Sequence, residues 1–438
     1  MKTIEHLYLT VGTDPVSNYV VADFFLKSQE SLKTIHFIHS AEDAVNNIQS
    51  TEPFAIHLKS VLDKKAGNVQ ILLHGIRIKD SFSIHTDVRN LLSDSQNLKN
   101  VHLDYSGGTK EMAFHSYEMF KDFFGSHISF SYYDSRRNRL KEYSGIEEPV
   151  ESVFLGDKVE IDFADLFELH GYGIIPAEEQ SGSVFSVEFF KEFLDALQEQ
   201  SNFEDYLKWL EYFFDVYPDS KKMVPAAGKA QLSDLLPPEF PISKILEKTV
   251  FLKICKEMPD YSVLEEQNGE YYLKTEVSNK QTDKLAETRK YMVGRWFEKY
   301  VYLVLRENLF EKGLISSLDL NIMIQSATKN FEMDAAMIKG YAFFGISCTT
   351  DKTQSLCKSK GFEILHRTKQ IAGDDSKAIL VTFMNGENTA EVGADLGDLL
   401  EDRLLVLGRE DLFPKEKFCQ KIIDFLMPVS SGEVPILR

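Results

Sequence analysis

The chain has 438 residues, 43% of them hydrophobic and 27% charged, with a formal net charge of −19 at pH 7. The length exceeds one ordinary core and points to two or three domains. The acidic balance excludes a protein that coats nucleic acid indiscriminately, though not one with a local basic groove. No run approaches the ~18 apolar residues of a membrane-spanning helix. Cys255, Cys348, Cys357 and Cys419 form no CxxC pair, so reduced, incidental thiols are expected. MKTIEHLYLTVG carries an early glutamate and no small-residue cleavage site, and a cytoplasmic protein with no membrane partner is the expectation.

Residues 1–150 alternate strand and helix. LYLTVG (Leu7–Gly12) reads as strand, and Pro15 opens a helix to about Ser28. TIHFIHS (Thr34–Ser40) is strand, AEDAVNNIQ helix, VQILLHG (Val69–Gly75) strand, and IHTDVRNLLSD (Ile84–Asp94) amphipathic helix. VHLDYSGG (Val101–Gly108) is strand, TKEMAFHSYEMFKDFF helix, and ISFSYYDSRRNRLKEYSG a closing hairpin. This alternation predicts a parallel sheet with helices on both faces, a fold that binds ligands at the carboxyl ends of its strands.

From 151 to 285, SVEFFKEFLDALQEQ and FEDYLKWLEYFFDVY have helical period, and Asn268-Gly269 joins two strand-like runs as a hairpin. A winged-helix-like linker and a plain helical connector both fit. From 286 to 438 the order is helix (Ala286–Asn308), a strand pair (Phe331–Ile338 and Tyr341–Thr349), helix, then the strands AILVTF and LLVLG. The expected fold class is α/β, in the three regions 1–150, 151–285 and 286–438.

Two strand-end loops in the first region suit an anionic ligand. In DYSGGTKEM (Asp104–Met112), Ser106, Gly107 and Gly108 lead into a helix at Thr109. Converging backbone N–H groups, the helix terminus and Lys110 would all favour an anion there. It is neither a Walker loop nor GxGxxG, and a tight turn capped by Thr109 is the plain structural alternative. VGTDPVSN (Val11–Asn18) occupies the equivalent place after the first strand, with Gly12, Thr13, Asp14, Ser17 and Asn18 as candidates. One neutral loop and one carrying lysine suit a ligand that combines bases with phosphates.

In the third region, strand alternation puts Glu332 and Asp334 on one side, and likewise Ser347 and Thr349. Many metal-dependent nucleases begin with such a carboxylate pair, and a further carboxylate and a lysine are due on the partner strand; serine and threonine stand there instead. Lys352, Lys358, Lys360, Arg367 and Lys369, with His366, recur at helical spacing. They form either a phosphate-tracking patch or a solvated helix face. Trp209 and Trp296 read as core or dimer contacts, His74 as a core histidine at the ligand edge, and Cys348 as pointing away from Ser347 into the core.

The loops VGTDP and DYSGGTKEM resemble the two ligand-binding motifs of the CARF domain, the Rossmann-like cyclic-oligoadenylate sensor of type III CRISPR defence. FADLFELHGYG, GRWFEKYVYLVL, FEMDAAMIKG, KSKGFEILHRTKQIAGDDSKAILV and RLLVLGREDL resemble, in order, a family joining that sensor to a PD-(D/E)XK restriction-endonuclease-like domain. The resemblance covers most of the chain except the longer section around 180–285. It implies a homodimer that binds cyclic tetra-adenylate or a close relative through Gly12, Thr13 and Ser17 and through Ser106 to Lys110. It also implies Mg²⁺- or Mn²⁺-dependent cleavage of DNA or RNA, with Asp334 and, from its helix, Glu298 as metal ligands.

Ser347 and Thr349 then occupy the family's glutamate and lysine slots. Lys352, or Glu363 on the following helix, could supply the missing groups from neighbouring elements, with Asp351 also near. The alternative is a catalytically degenerate fold serving as a ligand-gated sensor or regulator. A sensor that degrades its own ligand is a third option that nothing in the loops favours.

Overall fold

The computed structural model describes residues 3–42, 49–93, 95, 98–143, 151–175, 264–267, 270–273, 294–400 and 403–426. Its first half is built on β1 (His6–Thr10), β2 (Thr34–Ser40), β3 (Gln70–Ile76), β4 (Val101–Asp104), β5 (Ile128–Asp134), β6 (Arg139–Tyr143) and β7 (Glu151–Phe154). They form one sheet in the order β3-β2-β1-β4-β5-β6-β7. Neighbours from β3 to β5 run parallel, and β6 and β7 close the edge antiparallel. The strand order turns at β1 and β4, so their carboxyl ends flank the crevice where such folds hold ligands.

The helices divide between the faces as strand periodicity requires. On one face α1 (Pro15–Ser28) and α2 (Glu52–Asp63) cover Leu7, Leu9, Ile35 and Phe37. On the other, α3 (Ser81–Ser93) and α4 (Lys110–Phe124) cover Tyr8, Ile38, Val101 and Leu103. The helix after β2 is thus Glu52–Asp63, which buries Ala55, Leu58, Val61 and Leu62 at helical spacing. In the AEDAVNNIQ stretch, Ala41, Glu42 and Gln49 are irregular, and residues 43–48 lie outside the described residues.

Past residue 150 the chain still belongs to the first sheet as β7, then crosses through α5 (Phe163–Leu169) to β8 (Gly173–Ile175). β9 (Leu264–Gln267) and β10 (Glu270–Leu273) pair antiparallel about the Asn-Gly position. The two aromatic helical stretches, Trp209, and any winged-helix arrangement lie outside the described residues.

The second half follows α6 (Trp296–Leu305) with β11 (Ser317–Gln325), β12 (Phe331–Lys339), β13 (Ala342–Thr349), α7 (Gln354–Ala372), β14 (Lys377–Thr382), α8 (Gly386–Leu400), β15 (Leu404–Leu407) and α9 (Lys415–Leu426). The second sheet runs β15-β14-β13-β12-β11-β8. β8 to β13 are antiparallel, and β13, β14 and β15 are parallel. Trp296 is fully buried on α6 beside Phe297 and Phe383, which makes it core. Cys348 lies in that same core.

The α/β expectation, with a Rossmann-like amino-terminal sheet, holds. The two halves share one apolar core that runs from Leu7 through Phe167 to Phe343 and Ile364. Across this seam Tyr133 and Tyr341 hydroxyls lie 2.6 Å apart, and Tyr341 donates to Asn138 Oδ1 at 2.8 Å. Among the described residues, no helix is long and apolar enough to cross a membrane.

Candidate functional site

The two candidate loops touch at the carboxyl ends of β1 and β4. A Cβ on Gly107 would stand 2.2 Å from the Thr10 carbonyl oxygen and about 3 Å from the Asn18 amide, so only glycine permits this approach. The Thr10 hydroxyl donates to the Gly107 carbonyl at 2.7 Å, and Asn18 Nδ2 donates to the Thr10 carbonyl at 2.8 Å. Asn18 is buried and braces the loops from beneath, its Oδ1 making no hydrogen bond. Thr13, Thr109 and Lys110 are exposed, with Gly12, Ser17, Ser106, Gly107 and Gly108 partly so. Thr109 caps α4 by accepting from Met112 N at 3.2 Å, as Asp14 caps α1 by accepting from Val16 N.

Beneath the second loop lies a residue outside the candidate set. Asp104 is fully buried at the end of β4 and accepts from Ser106 N at 3.1 Å and from the Ser131 hydroxyl at 2.7 Å. Burial pushes its carboxyl up to about 6, against those bonds. The Ser106 hydroxyl in turn accepts from Tyr133 N at 2.6 Å, so the loop is tied both to its own strand and to β5. His74, another candidate at this edge, shares a proton with His36 at 2.9 Å within the β2–β3 surface. A cavity of about 640 Å³ beside it is lined by His6, His36, Leu72 and Asn90 and includes no residue of either loop.

Asp14 faces the second half of the molecule. Its carboxylate lies against Gly373, where φ is +83° and a Cβ would approach within 2.8 Å of Asp14 Oδ1. Burial first, then the charges of Asp375 and Asp374, push its carboxyl up to about 6 from an ordinary 3.8. The folded state therefore holds this proton more tightly than the unfolded chain. Stability contributed here is greatest below pH ~4 and declines as pH rises toward 6. Asp14→Asn keeps a capping oxygen without the charge, so we expect it to raise stability by about 1–2 kcal/mol at pH 7 and not at pH 4. Denaturant titrations of both chains at the two pH values check this; an equal effect at both would rule out the charge as its cause.

The second site lies at the carboxyl end of β13. Asp334 Oδ2 accepts from Cys348 N at 2.7 Å and from the Ser347 hydroxyl at 3.1 Å, and neither bond engages Oδ1. Strict alternation breaks at this point, since Met333 joins one core and Ala335 the other. Opposite Asp334 on β11, between the Leu320–Ala335 and Ile322–Met333 pairs, Asn321 takes a left-handed conformation with φ of 55°. Thr349 is buried, and its hydroxyl accepts from Asp351 N at 3.2 Å, closing the strand end.

Glu298 reaches the same place from the first turn of α6. Burial, then the like charges of Asp334 and Glu332, push its carboxyl up to about 7, while Arg295 and Lys360 pull it down. Burial likewise raises the Cys348 thiol, with Asp334 and Glu298 adding to the shift and Lys360 opposing it. The lysine whose charge acts on these acids is thus Lys360, two turns into α7. Neither Lys352, exposed before α7, nor Glu363, exposed on it, is among the principal charges acting on Glu298.

Other members of the basic run are engaged elsewhere. Lys358 pairs with Asp395, Lys369 with Asp374 at 2.5 Å, and Arg367 lies 4.4 Å over the Phe331 ring.

A partly buried carboxyl such as that of Glu298, raised by burial and by the charges of Asp334 and Glu332, belongs to a donor set a hard divalent cation would satisfy, and Mg²⁺-type sites often need only one or two carboxylates with water and phosphate oxygens. Glu298 and Asp334 fit that role. Their oxygens and that of Glu332 do not converge as a three-ligand cluster; among the described residues, only His85, His115 and Glu118 do so.

A Rossmann-like sheet joined through a common core to a mixed sheet is a fold this chain shares with solved structures. Over 96% of this chain and 98% of theirs, it resembles the crystal structure of protein VC1899 from Vibrio cholerae, with a TM-score of 0.64 and 16% identity. It is also similar to Can2 from Sulfobacillus thermosulfidooxidans in complex with cyclic tetra-adenylate, with a TM-score of 0.63 and 15% identity over 97% of this chain and 99% of that one. At such identities the shared property is the fold. No protein-family model matches the chain, and no curated protein matches it.

Proposed function

We propose that this protein is a metal-dependent nuclease switched on by a cyclic oligoadenylate, of the CARF–nuclease kind in type III CRISPR defence. The sensor reading rests on the paired loops, which place exposed Thr13, Thr109 and Lys110 around a glycine contact at the strand-order reversal. Can2, similar along its whole length, was solved with cyclic tetra-adenylate, which makes that ring the first ligand to test.

The observation that carries the nuclease reading is that the charges of Asp334 and Lys360 both act on the Glu298 carboxyl and on the buried Cys348 thiol beside it at the end of β13. Lys360 supplies from α7 the ammonium that Thr349 cannot, and Ser347 holds Asp334 in place of a second strand carboxylate. A bound Mg²⁺ or Mn²⁺ would activate water and neutralise the scissile phosphate. Glu298 and Asp334 would hold it, and Lys360 would stabilise charge developing on the phosphate.

The exposed Phe82 and Phe114 on the outer face of α3 and α4 suit self-association through the sensor, giving a homodimer with the ring across its axis.

The test is cleavage of labelled single-stranded DNA, supercoiled DNA and RNA with Mn²⁺ or Mg²⁺, with and without cyclic tetra-adenylate or hexa-adenylate. Cutting that requires both ligand and metal is expected, and Asp334→Ala should lower it at least ~10²-fold. One observation favours a second reading, a ligand-gated regulator without catalysis: the hydroxyls of Ser347 and Thr349 are each already engaged within the strand end. Tight ligand binding with no cleavage under any of these conditions would establish it instead.

A further inference from the structure

We infer that the sensor half carries a transition-metal site of its own, formed by His85 on α3 with His115 and Glu118 on α4. Three atoms define it. His85 Nε2 and His115 Nδ1 are 2.9 Å apart, and Glu118 Oε2 lies 3.8 Å from the first and 3.6 Å from the second. A circle through these three atoms has a radius of about 2.0 Å, which is the length of a zinc–imidazole or zinc–carboxylate bond. An ion near its centre would meet all three donors at bonding distance. It would displace the hydrogen bond between the imidazoles, and a few tenths of an ångström of opening there would let it move out of the donor plane toward tetrahedral coordination with water.

The sequence places them for this purpose on two packed helices. His115 and Glu118 are three apart on α4 and so share a face, and α3 brings His85 onto that face from the neighbouring helix. The two imidazole rings meet at 71° with centroids 4.7 Å apart, so their nitrogens and not their faces converge. The His115 side chain is 15% exposed, His85 36% and Glu118 48%. The site therefore has a protein wall on one side and an open position for water on the other.

Two imidazoles and one carboxylate select a borderline ion such as Zn²⁺ over Mg²⁺ or Ca²⁺, which prefer all-oxygen shells. It is chemically distinct from the all-carboxylate pair of Glu298 and Asp334. A bound ion would cross-link α3 to α4, and α4 begins at the ligand loop with Thr109 and Lys110. The inference does not depend on the nuclease reading.

Full-length protein freed of metal by chelation would be titrated with Zn²⁺ against a chromophoric competitor, and with Co²⁺ to read coordination from its visible absorption. One equivalent is expected that survives Asp334→Ala and is weakened at least ~10-fold by His115→Gln. Glu118→Gln, an exposed and mild change, should weaken it as well, which separates ligand loss from misfolding. Tetrahedral Co²⁺ absorption should appear in the parent chain and vanish in His115→Gln. Equal uptake by the parent, His115→Gln and Glu118→Gln chains, or no uptake by the parent, would overturn the site.

Discussion

Lys360→Ala is expected to lower ligand-stimulated cleavage by about 10²–10³-fold, the usual effect of removing one group that stabilises charge in a transition state. Lys360 is the lysine whose field reaches both Glu298 and Cys348. Its side chain is partly exposed on α7, so alanine there costs little packing. Affinity for the cyclic ligand and the thermal midpoint should stay at parental values, which a folding defect would not allow. Lys352→Ala is the matched control and should leave cleavage within a few-fold. The reverse pattern, with Lys352 essential and Lys360 dispensable, would move the catalytic ammonium to the loop before α7 and overturn this assignment.

Gly107→Ala should come close to abolishing ligand response. The added methyl would sit 2.2 Å from the Thr10 carbonyl oxygen and 3.0 Å from Asn18 Oδ1, and the nearest of these is backbone. The two loops must separate, which costs about 1–3 kcal/mol of stability as overpacking. Each 1.4 kcal/mol of distortion that also falls on the bound state is a tenfold loss of affinity. Calorimetric titration with cyclic tetra-adenylate should therefore show binding weakened roughly 10- to 100-fold. Any ligand-independent cleavage should persist, because the Asp334 site lies on the other sheet. Unchanged affinity in a folded Gly107→Ala protein would mean that the ring does not bind at the meeting point of the loops.

Both experiments probe one physical connection. The first loop ends in Asp14, which lies against Gly373 just past the end of α7, and α7 carries Lys360 two turns from its start. Under the proposed function, ligand binding alters the Asp334 site only through differential affinity for two arrangements of such an element. This contact is where the first loop meets the helix that carries Lys360.

Local chemistry made much of the amino-terminal half legible. Runs such as LYLTVG and TIHFIHS are too short and too apolar for anything but buried strands, and DYSGGTKEM joins strand, turn and capped helix within nine residues. The α2 helix escapes that reading, which takes AEDAVNNIQ as the helix after the second strand, although Ala55, Leu58, Val61 and Leu62 lie buried at helical spacing. Helical periodicity pointed Trp296 to the core or a dimer contact, and strand alternation turned Cys348 away from Ser347 into the core, where both lie.

What strand alternation could not supply was the composition of the second site. It paired Glu332 with Asp334, yet Asn321 on the neighbouring strand breaks the alternation at that point. It also left Lys360 as one charge among several on a basic helix. Asp104, whose role is to hold the second loop from below, carries no signal except its place at a strand end.

The sequence alone determined the fold class, and it offered the two strand-end loops and Asp334 as candidates, because each depends on neighbours within a few residues. Only the tertiary structure decided which lysine acts on Glu298 and which loop touches α7. Those depend on the direction of side chains from elements dozens of residues apart, and sheet twist and helix packing set that direction.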